Sequence, residues 1–236
     1  MGETSTDVGR ASTAPCFPFR HQVTSLEELR GLIGTPGELA VRKELSALDA
    51  HGRTFIAHAP FVLVGTAGAS GRVDVSPRGD APGFALVLDG HTVVIPDRPG
   101  NRRIDSFQNV LENPHAGLLF VIPGVEETLR VNGRARISVE DAVLDATTID
   151  GRRPKVAVVV EVVECYIHCA KALRRSGVWD PATWLDADEQ PSAAEGFVAH
   201  LEMDVDPAVV AADLEEAYRL TLWVPGGDAE TDDTDE

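Results

Sequence analysis

The alternation of apolar and polar positions changes character along the chain, and each change predicts an element. Between Thr24 and Leu48 the apolar residues recur at helical spacing. Thr24-Ser25-Leu26-Glu27-Glu28 pairs Ser25 with Glu28 in a capping-box pattern, which predicts a short helix to about Leu32, stopped by Gly34. Thr35-Pro36 opens a second predicted helix, with Leu39, Ala40, Leu45 and Leu48 near helical spacing and His51-Gly52 at its end. From Phe55 the period falls towards two. Phe61–Thr66 reads as a strand, Ala67–Gly71 as a flexible turn, and Arg72–Ser76 as a half-buried strand. Phe84–Leu88 and Thr92–Ile95 flank Asp89-Gly90, a hairpin signal because both residues tolerate positive φ. Asp105–Asn113 reads as a short helix with Phe107, Val110 and Leu111 on one face, ended by Pro114. Ala116–Ile122 is a continuous apolar run and therefore a buried strand. Glu127–Ile137 alternates, with Leu129, Val131, Ala135 and Ile137 inward and Thr128, Arg130, Arg134 and Arg136 outward; Asn132-Gly133 interrupts it as a bulge or a turn. Lys155–Glu164 is the last strong strand, Tyr166–Arg175 has helical periodicity, and Asp206-Pro207 starts a final helix through about Leu220.

Six or so strands with hairpin connections and one embedded helix predict a mainly β fold with flanking helices, closed as an antiparallel barrel because closure removes exposed edges. Residues 1–20 read as a tail without periodicity, 21–54 as N-terminal helices, 55–179 as the barrel domain, 180–227 as a C-terminal helical segment and 228–236 as an acidic tail. No internal repeat is found.

Composition narrows the function. The net charge of −17 on 236 residues argues against a nucleic-acid or anionic-membrane binder. No apolar run reaches the roughly 18–20 residues of a membrane helix, and the first twenty residues carry no apolar segment behind a basic start, so the expected location is cytoplasmic. Cys16, Cys165 and Cys169 do not make a disulfide framework and suit a reducing compartment.

Within this acidic chain, three basic residues are lysine and the rest of the 21 are arginine. Arg98-Pro-Gly-Asn-Arg-Arg-Ile-Asp-Ser106 is locally positive and leads into the predicted helix at Asp105. Arginine's planar fork suits phosphate or carboxylate, and a helix start adds free amide donors and a positive dipole end. Ser76-Pro-Arg-Gly-Asp80 is a second strand-end loop of the same type that could converge on one anion. Surface ion pairs are the other reading of these arginines.

The resemblance to a known family is carried by several ordered motifs: Val73-Asp-Val-Ser-Pro-Arg-Gly-Asp80, Ile95-Pro-Asp-Arg-Pro-Gly-Asn-Arg-Arg-Ile-Asp-Ser106 with Asn109, Asn113-Pro-His-Ala-Gly-Leu-Leu-Phe-Val-Ile-Pro-Gly124, Glu127-Thr-Leu-Arg-Val-Asn-Gly-Arg-Ala135 and His168-Cys-Ala-Lys-Ala-Leu-Arg-Arg-Ser-Gly-Val-Trp179. Over roughly Phe55 to Trp179 the chain resembles the pyridoxamine phosphate oxidase-like split-barrel flavoproteins, and within them a bacterial branch of predicted FMN-dependent enzymes. The resemblance implies a split β-barrel homodimer with one FMN in each of two grooves between subunits. It places the strand under the flavin ring on Val73, Asp74, Val75 and Ser76, with Arg78 following. It places the phosphate segment on Arg98 to Ser106, with Arg98, Asn101, Arg102, Arg103 and Ser106 as its ligands, adds Ile95 and Pro96 as cofactor-binding residues, and places the partner strand's contribution on Thr128 and Arg130. The Trp- and Arg-rich C-terminal signature of the vitamin B6 enzymes is not found between Asp180 and Glu236.

Lys171 and Arg174 lie three apart on one predicted helix face and either reach a flavin phosphate or a substrate carboxylate or merely form solvent-exposed ion pairs. Cys165, His168 and Cys169 are good zinc-ligand types without a fourth partner at a suitable spacing, so no metal is expected. Neither a serine-hydrolase elbow nor a dinucleotide fingerprint is present. The expected function is therefore an FMN-dependent oxidoreductase acting on a small molecule, with no side chain assigned as acid or base. A non-catalytic flavin- or haem-binding protein on the same barrel is the alternative, and a deazaflavin could replace FMN.

Overall fold

The computed structural model describes residues 21–223, so the expected tails at 1–20 and 228–236 lie outside the described residues, as does Cys16. The chain forms two compact units, divided between Val41 and Arg42. In the first, helix α1 (Leu26–Ile33) begins as the capping pattern predicts: Ser25 Oγ accepts from the Glu28 amide at 3.1 Å, while the Glu28 carboxylate accepts from Thr24 one residue early, at 3.3 Å. Gly34, at φ 83°, closes it by donating to the Arg30 carbonyl. The second predicted helix is shorter than its apolar spacing implies: α2 covers only Glu38–Arg42. A new helix, α3 (Ala50–His58), starts where the sequence predicts an end. Asp49 decides this, because its carboxylate accepts from the Gly52 amide at 2.7 Å and turns the expected stop into a first turn.

The second unit is built on one seven-stranded antiparallel sheet. Its strands are β1 (Phe61–Ala67), β2 (Val73–Gly79), β3 (Leu86–Asp89), β4 (Thr92–Pro96), β5 (His115–Val121), β6 (Thr128–Ser138) and β7 (Ala157–His168), in the order β2-β1-β5-β6-β7-β4-β3. The inner face is apolar, with Val62, Val64, Leu118, Phe120, Leu129, Val131, Val93 and Val160 buried in a single core. Helix α4 (Asp105–Glu112) packs on β1, β2 and β6.

The barrel is split, as the family resemblance implies, and not closed as the strand pattern alone suggests. β2 and β3 are sheet edges and do not pair, so no ladder completes the ring. The hairpin at Asp89 also differs from its prediction. Asp89 pairs with Thr92, which leaves Gly90-His91 as the loop, and neither residue has positive φ. Asp89 instead accepts from the His91 amide at 2.7 Å, and a bulge before Asp89 absorbs the change of register. At Asn132-Gly133 the alternative resolves as a bulge: the register with β7 shifts there, with Val163 as the extra residue on β7. A Cβ on Gly133 would stand 2.0 Å from the Glu161 carbonyl oxygen, so glycine is required for the strands to approach.

Two further readings are corrected. Tyr166, expected to begin a helix, continues β7, and α6 starts only at Lys171 (Lys171–Ser176). On α4, Leu111 is exposed, and Ser106 and Asn109 occupy the buried side with Val110. The remaining helices are α5 (Asp141–Ala146), α7 (Ala193–His200) and α8 (Pro207–Thr221); α8 is capped by Asp206 as predicted, and α7 packs against it.

Candidate flavin site at the barrel split

The ends of β2 and β4 and the loops that follow them meet across the split and exchange ion pairs. Arg78 donates to Asp97 at 2.7 Å, and Arg98 donates through Nε to Asp80 at 2.6 Å, so each strand end with its loop supplies one cation and one anion. The second pair is nearly dry, with side chains 12% and 4% exposed. Arg98 also donates to the Thr147 carbonyl at 3.0 Å, and its remaining Nη1 is buried without an acceptor. Burial pushes the Asp97 carboxyl above the ordinary carboxylate range despite the neighbouring Arg78. Arg78, Ile95, Pro96 and Ser106 line one narrow pocket, with Phe107 in its wall and the Arg78 guanidinium 5.5 Å from that ring's centre.

The predicted phosphate loop runs beside this clasp. Arg102 and Ile104 both take left-handed backbone, φ 58° and 53°, a conformation uncommon outside glycine. The bend delivers the chain into α4 with Ile104 at the cap position and no side chain capping the first turn. That turn's free amides therefore face the loop. Arg103 is half committed: it donates to Asp105 at 2.9 Å, as does Arg72 at 3.2 Å, and the Asn101 side chain accepts from its amide. Arg102 is exposed and, among the described residues, has no partner. Polar contacts pin α4 from below. Ser106 Oγ donates to Asp74 at 2.5 Å, and Asn109 donates to Thr66 at 3.1 Å, both ends buried.

On β2 the predicted ring-contacting residues split by face: Val73 and Val75 are exposed on the outer side, while Asp74 and Ser76 are half-buried on the other. Thr128, Arg130 and Lys171 are not brought to this place. β6 lies three strands from β2, and Lys171 follows the end of β7. Arg174, offered with Lys171 as a free cation, is bound to Glu126 at 2.6 Å. Cys165 and His168 lie on opposite faces of β7; Cys165 is buried and bonds the Ala47 carbonyl, so the two do not converge on a metal.

The sequence model of the pyridoxamine 5′-phosphate oxidase family matches residues 48–169, the whole sheet together with α3, α4 and α5. The chain belongs to this family. Among solved structures, it is similar to HupZ of Group A Streptococcus at 20% identity, over 51% of this chain and 93% of that one, with a TM-score of 0.42. It is also similar to an FMN-binding protein of Syntrophomonas wolfei (12% identity, 61% and 97% covered, TM-score 0.38) and to the haem storage protein HutZ of Vibrio cholerae (13%, 51% and 94%, 0.36). No curated protein matches the chain.

Several residues of the site carry no signal in the arginine pattern. Asp80 and Asp97 compensate the cations expected to be free, and a strand-end Asp reads as a turn residue in sequence. A groove of about 580 Å3 on the outer sheet face is bounded by Val73, Gly65, Gly117, Asn132 and Glu164. The glycines make it by lacking side chains, a feature visible only once β1 and β5 are in register, with Gly65 opposite Gly117.

Proposed function

We propose that this family member is an FMN-dependent oxidoreductase acting on a small molecule, with flavin held between two copies of the chain. The observation that carries the reading is the loop at Arg102: an exposed cation without a partner among the described residues, on backbone bent twice into the left-handed region, beside a helix start with no side-chain cap. A phosphate there would meet the Arg102 guanidinium and the first amides of α4. Arg103 can join because its pair with Asp105 is exposed and exchangeable, worth about 1 kcal/mol or less, while a charge-assisted phosphate contact is worth about 1.5–3 kcal/mol. The buried, unsatisfied Arg98 Nη1 in the same segment also fits a nearby oxygen acceptor. Val73 and Val75 offer an apolar strand edge for the ring. Thr128 and Arg130 would come from the second copy, with Lys171 at the same end. When bound, FMN supplies hydride or single-electron chemistry; the side chains bind, orient and exclude water.

Titrating the purified full chain with FMN tests this. The expected outcome is a stoichiometric yellow complex, bleached by a reductant and recovered in air, with affinity reduced ten- to a hundred-fold for each lost phosphate contact in Arg102→Ala/Arg103→Ala. A folded double variant that binds FMN like the wild type overturns the site. A colourless protein that takes up haem instead overturns the flavin reading.

A further inference from the structure

The end of α8 is tied to the arginine loop through a hairpin. Asp150 and Gly151, at φ 50° and 73°, make a two-residue turn, and Arg152 pairs back with Ile149. The turn carries the Arg152 guanidinium to 4.4 Å from the centre of the Trp223 ring, just beyond α8. Two residues before Ile149, the carbonyl of the buried Thr147 accepts from Arg98 at 3.0 Å, and Arg98 opens the segment that carries Arg102 and Arg103. Residues 224–236 follow Trp223 directly. They hold six acids, Asp228, Glu230, Asp232, Asp233, Asp235 and Glu236, and no base. Thirteen residues extend at most about 45 Å. The loop offers them the opposite charge. Arg72 and Arg103 share Asp105, with side chains 70% and 66% exposed, and Arg102 is exposed without a partner among the described residues. A second group of cations lies elsewhere: Lys43 donates to the Ile167 carbonyl, Arg130 donates to the Tyr166 hydroxyl, and His168 stands beside the Tyr166 ring. Among the described residues no carboxylate pairs with these three. They sit at the opposite end of β7, whose twelve residues put roughly 40 Å between them and the hairpin, near the full extent of the tail.

We infer that the acidic segment Asp228–Glu236 docks on Arg72, Arg102 and Arg103 and competes there with an anionic ligand. Exposed ion pairs are individually weak and screened by salt, but the tether at Trp223 holds the carboxylates near the loop at an effective concentration on the order of millimolar. The contact is therefore reversible: salt releases it, and an anion gripped by the same guanidiniums displaces it. For the flavin this is autoinhibition, a consequence that rests on the reading of the Arg102 loop given above. The docking itself does not.

The test compares the full chain with a full-length variant in which the six acids are neutralised together, Asp228→Asn, Glu230→Gln, Asp232→Asn, Asp233→Asn, Asp235→Asn and Glu236→Gln, so that every described residue stays in place. The readout is the backbone amide resonances of Arg103 to Phe107 at low salt. Neutralisation is expected to shift them, and roughly 0.5 M sodium chloride is expected to bring the wild type to the same positions. In Arg102→Gln/Arg103→Gln, neutralising the tail is expected to move them no further. Amides that do not respond to the tail's charge overturn the docking. So do responses confined to Arg152 and Lys155, which would put the tail on the nearer hairpin cations, or to Tyr166 and His168. FMN titration reads the consequence: the neutralised chain is expected to bind about tenfold more tightly at low salt, with the gain lost at high salt. Equal FMN affinity despite shifted amides overturns the competition. Shifted amides in a chain that takes up no FMN support the docking and overturn the flavin proposal; FMN binding with amides indifferent to the tail does the reverse.

Discussion

At the split, four arginines meet three aspartates: Arg78 with Asp97, Arg98 with Asp80, and Arg72 and Arg103 with Asp105. At the ends of β6 and β7, three basic side chains meet a phenol and a main-chain carbonyl. Both regions are rich in positive charge; carboxylates compensate most of it at the split and, among the described residues, none of it at the second. Density of arginine in sequence therefore measures how much charge a segment holds, not how much a ligand can use. At the split most of the charge joins the two halves of an open sheet, and one side chain, Arg102, is left over.

The largest expected effect lies in the clasp. Removing one partner of a dry ion pair leaves the other charge buried and unpaired, which costs about 3–5 kcal/mol. Asp80→Ala is expected to lower the melting temperature by roughly 10 °C for a domain of this size. Asp80→Ala/Arg98→Met, which removes both charges and keeps apolar volume, is expected to recover most of the loss. Thermal unfolding of the two variants decides it: a single variant as stable as the wild type would mean that Arg98 is free for a ligand after all, and the contrast between the regions would collapse.

The fold was largely legible, because each strand from Phe61 to Glu164 carries its own period and its own turn residues. What failed was set by partners distant in sequence. The second helix gave way at Asp49 because a side-chain cap outweighed a glycine stop. β7 ran on through Tyr166 because Leu129 and Arg130 were there to pair with it, which local helical spacing cannot report. The motifs named two segments that the structure brings together across the split, yet Arg98 read as a free cation because its partner Asp80 lies 18 residues away. The β6–β7 cluster was half visible: Arg130 came through the family resemblance, whereas Lys43 reaches Tyr166 only through the Leu45 bridge.

A mixing experiment sharpens the comparison by asking whether the two regions work in one groove. Within one chain, Arg102 leads into the helix packed on the core side of β1, β2 and β6, while Arg130 stands on the face of β6 opposite the core residues Leu129 and Val131. If one copy supplies the loop and the other supplies β6, an Arg102→Ala/Arg103→Ala chain and an Arg130→Ala chain are each deficient alone. Random mixing of the two would restore one wild-type groove in each heterodimer, roughly a quarter of all grooves. FMN fluorescence quenching on mixing measures this. A mixture no better than its components, or a monomer by light scattering, rules out the shared groove.

The smallest expected effect is a slope of stability against pH. The folded state holds the His168 imidazolium below its ordinary range, with burial the first cause and Arg130 and Lys43 the others, while the unfolded chain takes up the proton near the usual value of about 6.5. As pH falls through that value the unfolded state binds more protons, so stability drops towards lower pH and is fully regained above it. Urea unfolding at pH 5 and pH 7.5 is expected to show this drop in the wild type and a reduced one in His168→Gln. The aspartate-paired arginines of the split offer no such response, because their compensating charges are already in place. A slope unchanged by His168→Gln would show that the β6–β7 cations are as well screened as those of the clasp, and the distinction between the two regions would be one of bonding pattern alone.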